Sequence, residues 1–240
     1  MAAYPGNEVG LLSQNVLGLT VNQANALSNN GWETIDDFEG YSTKDIKEWM
    51  STIAKVPITR GGCVYPMVRA KRVIALSFWV NRNILRGIVP DPNTFLAPVL
   101  QQALLDYPVH DDYIAAVDTA DKPDKFSYEK WVDWQDSVIT FLRNTKSVNR
   151  SISLYYIIRK EPNPIDPADM TEEDDIIYNA QHSGAAFNID NKRVHTYLKE
   201  LTNGTVADQW INQHKRTQNG KGAWTDLCDH YDGAGEGDKK

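Results

Sequence analysis

The chain has 240 residues, with 25 Lys+Arg against 32 Asp+Glu, a formal charge of −7 and 41% hydrophobic residues. That composition buries a core and excludes a wholly disordered chain. The two cysteines, Cys63 and Cys228, exclude a disulfide framework, and the longest apolar stretch, Val73–Val80, is far short of the roughly 20 residues a membrane span needs. The expectation is a soluble, cytoplasmic protein with no membrane partner, since the first residues also lack the basic-then-apolar layout of a signal peptide.

The first twelve or so residues carry little pattern and are expected to be loose. Thr20 is a plausible N-cap for a short helix with Val21, Ala24 and Leu27 on one face, closed by Asn29-Asn30-Gly31. Thr34–Phe38 suggests a second short helix. Ser42-Thr-Lys-Asp45 reads as a capping box opening a third, with Ile46, Trp49, Met50 and Ile53 on its apolar face. Together these make a small helical module of the SAM or helix-hairpin-helix type, suited to protein–protein contact. A DNA-gripping Gly-x-Gly turn is missing from Leu17-Gly18-Leu19.

Pro66 suits the first turn of a longer helix to about Arg86, whose middle, Val73–Val80, is apolar nearly all round. A shorter helix is expected at Pro98–Leu105, and Asp121-Lys-Pro-Asp124 as a turn or linker. Ser127 is a good N-cap for a helix with the stripe Trp131, Trp134, Val138, Phe141 and Leu142. Ser151–Lys160 allows strand or helix equally. Three prolines, Pro162, Pro164 and Pro167, punctuate an acidic loop.

Thr171–Asp174 is a second capping box, opening a helix with Ile176, Ile177 and Ala180 that ends near Gly184. Asp190 can cap a helix with Val194, Tyr197, Leu198 and Leu201, ended by Gly204. Thr205–Asp208 reads as a third box, leading into Trp210, Ile211 and His214. After the Asn219–Gly222 turn, Ala223, Trp224, Leu227, Cys228 and Tyr231 form a final stripe stopped by Gly233, before a flexible tail.

Charge is segregated along the chain. From Trp49 to Pro90 there are seven basic residues and no acidic one, and from Glu161 to Asp175 seven acidic residues and no basic one. Arg69 and Arg72 share a helix face, as do Arg82 and Arg86. With Arg60 and Lys71 they form a candidate nucleic-acid-binding set able to follow a phosphate backbone. The opposing reading is that these cations pair within the chain or between subunits, or cap a buried helix.

No other pattern carries chemistry. Cys228-Asp-His230 lacks the partners of a metal site. Cys63 has no base nearby in sequence. Val117–Ala120 lacks the glycine of an aspartic-protease motif. Asn219–Gly222 lacks phosphate-loop spacing. Glu172–Asp175 complements a helix dipole, and Asn203-Gly-Thr205 fits a glycosylation sequon without a secretion signal. We therefore expect no catalytic residues, no metal, no cofactor and no small-molecule substrate.

The order of aromatic anchors carries one resemblance. Tyr128-x-x-Trp131 opens a helix that continues to Phe141-Leu142. Ile177–Ala180, Val194–Leu201 and Thr205-Val-Ala-Asp-Gln-Trp210-Ile follow, and the closing helix holds Ala223-Trp224 and Leu227 to Tyr231. This order resembles the N-terminal capsid lobe of Gag-like proteins of LTR retrotransposons. The resemblance implies self-assembly into a shell or ribonucleoprotein particle, hence a homo-oligomer; RNA contact is expected from the basic segment, and a non-enzymatic protein from the lack of catalytic constellations. It also implies that Trp131, Trp210, Trp224 and Tyr231 are fold anchors rather than assembly contacts. No zinc knuckle and no second capsid lobe follow, so an N-terminal piece or truncated derivative of Gag is expected. The alternative is a helical adaptor or DNA-associated regulator using the N-terminal module. The expected architecture is mostly α: a module at 1–56, a basic connecting helix and linker at 57–123, a capsid-like helical bundle at 124–233 and a tail at 234–240.

Overall fold

The computed structural model describes residues 3–116, 121–148 and 152–237. They are mostly helical, with no strand among them beyond one isolated antiparallel bridge between Lys146 and Ser153. The chain divides into two compact units, Met1–Asp112 and Tyr113–Lys240.

The first unit starts with a helix, α1 (Glu8–Leu12), where the sequence suggested loose chain. Asn7 caps it, its side chain accepting from the Gly10 N–H at 2.9 Å. A π-helical turn at Ser13–Leu17 continues it and ends at Gly18, whose φ of 61° suits glycine. The buried Val9, Leu12 and Leu17 hold this segment to the core, which outweighs its weak helical pattern. Thr20 and Gln23 form a reciprocal capping box for α2 (Val21–Asn29). A 3-10 turn at Ile35–Phe38 follows, then α3 (Thr43–Ile53), opened by the expected Ser42–Asp45 box.

The basic helix, α4 (Met67–Leu85), was expected as part of a connector. It is instead central to this unit. Val73, Ala75, Leu76 and Val80 are fully buried in one core with Leu27, Trp32, Phe38 and Ile46. A segment apolar on every side has to be covered on every side. Residues 1–56 and 57–112 therefore share a single core, and the 1–56 module has no separate one.

The next helix, α5 (Ala97–Ala116), is about twice as long as expected and runs through Pro108. Proline in a helix costs a backbone hydrogen bond. Burial of Tyr107 and His110 beside it offsets that cost, and His110 packs on Phe78 with ring centroids 5.4 Å apart.

The second unit comprises α6 (Trp131–Arg143), α7 (Tyr155–Ile158), α8 (Glu172–Asn179), α9 (Gly184–Thr202), α10 (Asp208–Gln213) and α11 (Gly220–Gly237). The last helix packs on α9, α10 and α7. Phe126, Trp131, Trp134, Trp224 and Tyr231 form an aromatic cluster. Phe126 and Tyr231 lie 5.0 Å apart by ring centroids, and Trp131 and Tyr231 5.1 Å. Two of the indole N–H groups have partners: Trp131 donates to Asp232 at 2.7 Å and Trp134 to the Asp124 carbonyl at 3.1 Å.

Several element ends differ from expectation. The Ser127 side chain caps nothing. Thr205 donates its hydroxyl to the Thr202 carbonyl at 2.6 Å and accepts from the Ala207 N–H at 3.3 Å, but α10 begins only at Asp208, so the Thr205–Asp208 capping box does not form. Because α9 starts at Gly184, Asp190 lies inside the helix, buried. It accepts from the Val148 N–H at 2.9 Å, the Tyr156 hydroxyl at 3.2 Å and Arg193 at 3.1 Å. Gly233 does not stop α11. The ambiguous Ser151–Lys160 stretch contains the bridge at Ser153 and then one helical turn.

Candidate functional site: a basic and apolar face on the first unit

The loop from α3 to α4 folds back tightly. Gly62 donates to the Pro57 carbonyl at 3.0 Å and Cys63 to that of Ile53 at 3.3 Å. A side chain at Gly62 would start 1.7 Å from the Val56 carbonyl oxygen, so only glycine fits. Gln23 donates to the Val64 carbonyl at 2.9 Å, and the Tyr65 hydroxyl donates to the Gln23 carbonyl at 2.6 Å. These bonds fix the backbone while turning several apolar side chains outward. Ile58 is 82% exposed, Met67 75%, and Val64 and Val68 64% each. Four large apolar side chains open to water within eleven residues mark a surface that another molecule can cover.

The basic side chains around them fall into two groups. Lys55, Arg60 and Lys71 are exposed and have no ion-pair or hydrogen-bond partner among the described residues. Arg69 and Arg72 work inside the fold. Arg69 donates Nε to the Gly18 carbonyl at 3.0 Å, and Arg72 donates a guanidinium N–H to the Leu17 carbonyl at 3.0 Å. Both carbonyls close the π-helical turn, where the chain would otherwise leave acceptors unpaired. A carbonyl partner neutralises no charge, so five positive charges remain without a carboxylate. The positive N-terminal end of α4 adds to their field.

The remaining candidates lie elsewhere. Arg82 pairs with Asp106 at 2.8 Å, and Gln102 holds the other Asp106 oxygen at 2.6 Å. Arg86 is half-buried where α4 ends. Lys71 and Arg82 stand about 16 Å apart along the helix axis. The six residues singled out in the sequence therefore do not form one stripe: Arg60, Arg69, Lys71 and Arg72 belong to one end of α4, Arg82 and Arg86 to the other. Sequence reasoning missed the outward Met67 and Val68, which lie N-terminal to the buried Val73–Val80 run. A Met-Val pair in the first turn after Pro66 was the available signal.

The second unit presents opposite charge. Glu161 is held by Lys221 at 3.0 Å and Arg159 at 3.2 Å. Burial tends to raise its carboxyl, but these cations hold it below the ordinary carboxylate range. His182 sits beside them, with Nε2 2.7 Å from the Tyr156 carbonyl and Nδ1 2.6 Å from the Lys221 ammonium. Nε2 therefore carries the proton and Nδ1 accepts. Burial, with Arg159 and Lys221 nearby, depresses this imidazole. Beyond Glu161, Pro162, Pro164, Asp166, Pro167 and Asp169 are exposed, and neither aspartate has a cationic partner among the described residues. The Thr171–Asp174 box closes the segment.

The discarded motifs are accounted for in structural terms. Burial pushes the Cys228 thiol up to about 12, and Gln135 donates to it at 3.3 Å. That is a half-buried thiol of low reactivity. Burial also raises the Cys63 thiol. His230 packs tilted against Trp210, 4.4 Å between centroids. The Asn219–Gly222 turn is a helix cap: Asn219 accepts from the Gly222 N–H at 3.1 Å and Asn191 from that of Lys221 at 2.8 Å. Val117–Ala120 lies outside the described residues. Among those residues, no group of His, Cys, Asp and Glu is placed to hold a metal ion, and no helix is long and apolar enough to cross a membrane.

Comparison with protein-family models, with curated proteins and with solved structures finds no match for this chain.

Proposed function

We propose that this chain is a non-enzymatic, self-associating structural protein of the Gag-like kind. The observation that carries this reading is the segment around the start of α4, which holds four exposed apolar side chains and five positive charges without a carboxylate partner among the described residues. Such a surface loses water-exposed apolar area on binding a partner. The capsid-like part of the reading draws support from Trp131, Trp224 and Tyr231. All three lie buried in the aromatic cluster, the role the resemblance assigns to them. Light scattering coupled to size exclusion tests the reading. The expected result is a mass that rises with protein concentration. A monomer at every concentration and ionic strength defeats it.

One observation favours RNA contact as a second reading: Lys55, Arg60 and Lys71 are exposed and unpaired. Replacing all three with Gln should leave the fold intact and lower retention on RNA or heparin, with a shallower salt dependence. Unchanged elution removes the RNA reading.

A further inference from the structure

We propose that the basic, apolar face of one chain binds the acidic, proline-rich segment 161–175 of a second copy, so that copies associate head to tail. This rests on the self-association reading and names the two surfaces it uses.

The two surfaces match in charge. One carries Lys55, Arg60, Arg69, Lys71 and Arg72 without an acidic residue anywhere from Trp49 to Pro90. The other carries seven acidic residues from Glu161 to Asp175 without a basic one. Opposed potentials of this kind steer encounter and fix register. They also match in apolar character. Ile58, Val64, Met67 and Val68 stand open on the first surface, and Ile165 and Met170 lie among the exposed prolines of the second.

The acidic segment is preorganised. Glu161 is anchored by Lys221 and Arg159 at one end, and the Thr171–Asp174 box fixes the other. Between them, Asn163 accepts from the Ile165 N–H at 3.0 Å and Asp166 from that of Ala168 at 2.9 Å. Three prolines restrict the backbone further. Less freedom is then lost on docking. Asp166 and Asp169 meet no cation in their own unit among the described residues. A nucleic acid or a lipid surface would use the basic face and leave this segment idle; a second copy uses both. Because the two patches differ, the contact is heterologous, and a chain of copies keeps one free surface at each of its two ends.

The test uses two full-length variants. One carries Lys55→Glu, Arg60→Glu and Lys71→Glu; the other carries Asp166→Lys and Asp169→Lys. All five positions are exposed and carry no ion pair among the described residues, and only Asp166 holds a bond in its own segment, from the Ala168 N–H, so circular dichroism should report unchanged folds. Sedimentation velocity over a concentration series is expected to show wild-type association about tenfold or more weaker at 0.5 M than at 0.05 M salt. Each variant alone should lose that association, and an equimolar mixture should regain at least a dimer, because the intact acidic segment of one meets the intact basic face of the other. Variants that associate like wild type overturn the interface while self-association stands. A mixture that stays monomeric while wild type associates does the same. Wild type that is monomeric throughout defeats the self-association reading as well. Compaction of a monomer at low salt, with no rise in mass, places the contact within one chain and overturns the second-copy partner.

Discussion

His110 shows how one buried side chain ties stability to pH. Burial against Phe78 lowers its imidazole to about 4, with Arg82 lowering it further and Asp111 opposing. In the unfolded chain the ring binds a proton near its ordinary value of about 6.5. Above that value neither state is protonated and the contribution is complete. As pH falls from about 6.5 towards 4, the unfolded state takes up the proton first and stability is lost. Urea denaturation should therefore find the first unit weaker by about 2 kcal/mol at pH 5.0 than at pH 7.5. In His110→Leu this part of the pH dependence should disappear; an unchanged profile would assign the effect to other groups. Local pattern does not mark this histidine as buried, because the helix that buries it continues past a proline where helices normally stop.

The helix α4 separates two roles that one stretch of sequence merges. Its middle is core and its N-terminal end is surface. Leu76→Ala should cost about 2–5 kcal/mol, since it leaves a cavity in a fully buried site. Lys71→Gln, on the exposed side, should stay within about 0.5 kcal/mol. Equal, small losses in chemical denaturation would mean that α4 is a connector after all. The apolar run at Val73–Val80 was legible as a buried helix, and the Ser42 and Thr171 boxes were legible as helix starts, because these signals are local. The Thr205 box was not, since its hydroxyl turns back to the preceding helix. Neither was the inward role of Asp190, which depends on a helix starting six residues earlier. The basic set was readable as cationic. Which members face water was not, because Arg69 and Arg72 find their carbonyl partners more than 50 residues back in the chain.

The whole molecule is two cores, divided after Asp112 and not at a linker following residue 56. A fragment of residues 1–116 retains α1 to α5 and should unfold cooperatively, as followed by circular dichroism. A fragment of residues 1–56 lacks α4 and should show no cooperative transition, because Leu27, Phe38 and Ile46 lose the helix that covers them. A cooperative 1–56 fragment would restore the independent N-terminal module.

The bond from Arg72 to the Leu17 carbonyl has a consequence for any polyanion that approaches this unit. Gly18 lets the guanidinium sit close, since a side-chain carbon there would lie 2.7 Å from it. A phosphate that takes the carbonyl-bound N–H of Arg69 or Arg72 must first withdraw it from the turn that anchors residues 8–17, while the other guanidinium N–H groups can meet it with the turn intact. Capture and anchoring compete only for those two N–H groups, and where they do, each weakens the other by the same factor. Arginines that look free to grip a ligand are already a clasp on the chain's own opening helix.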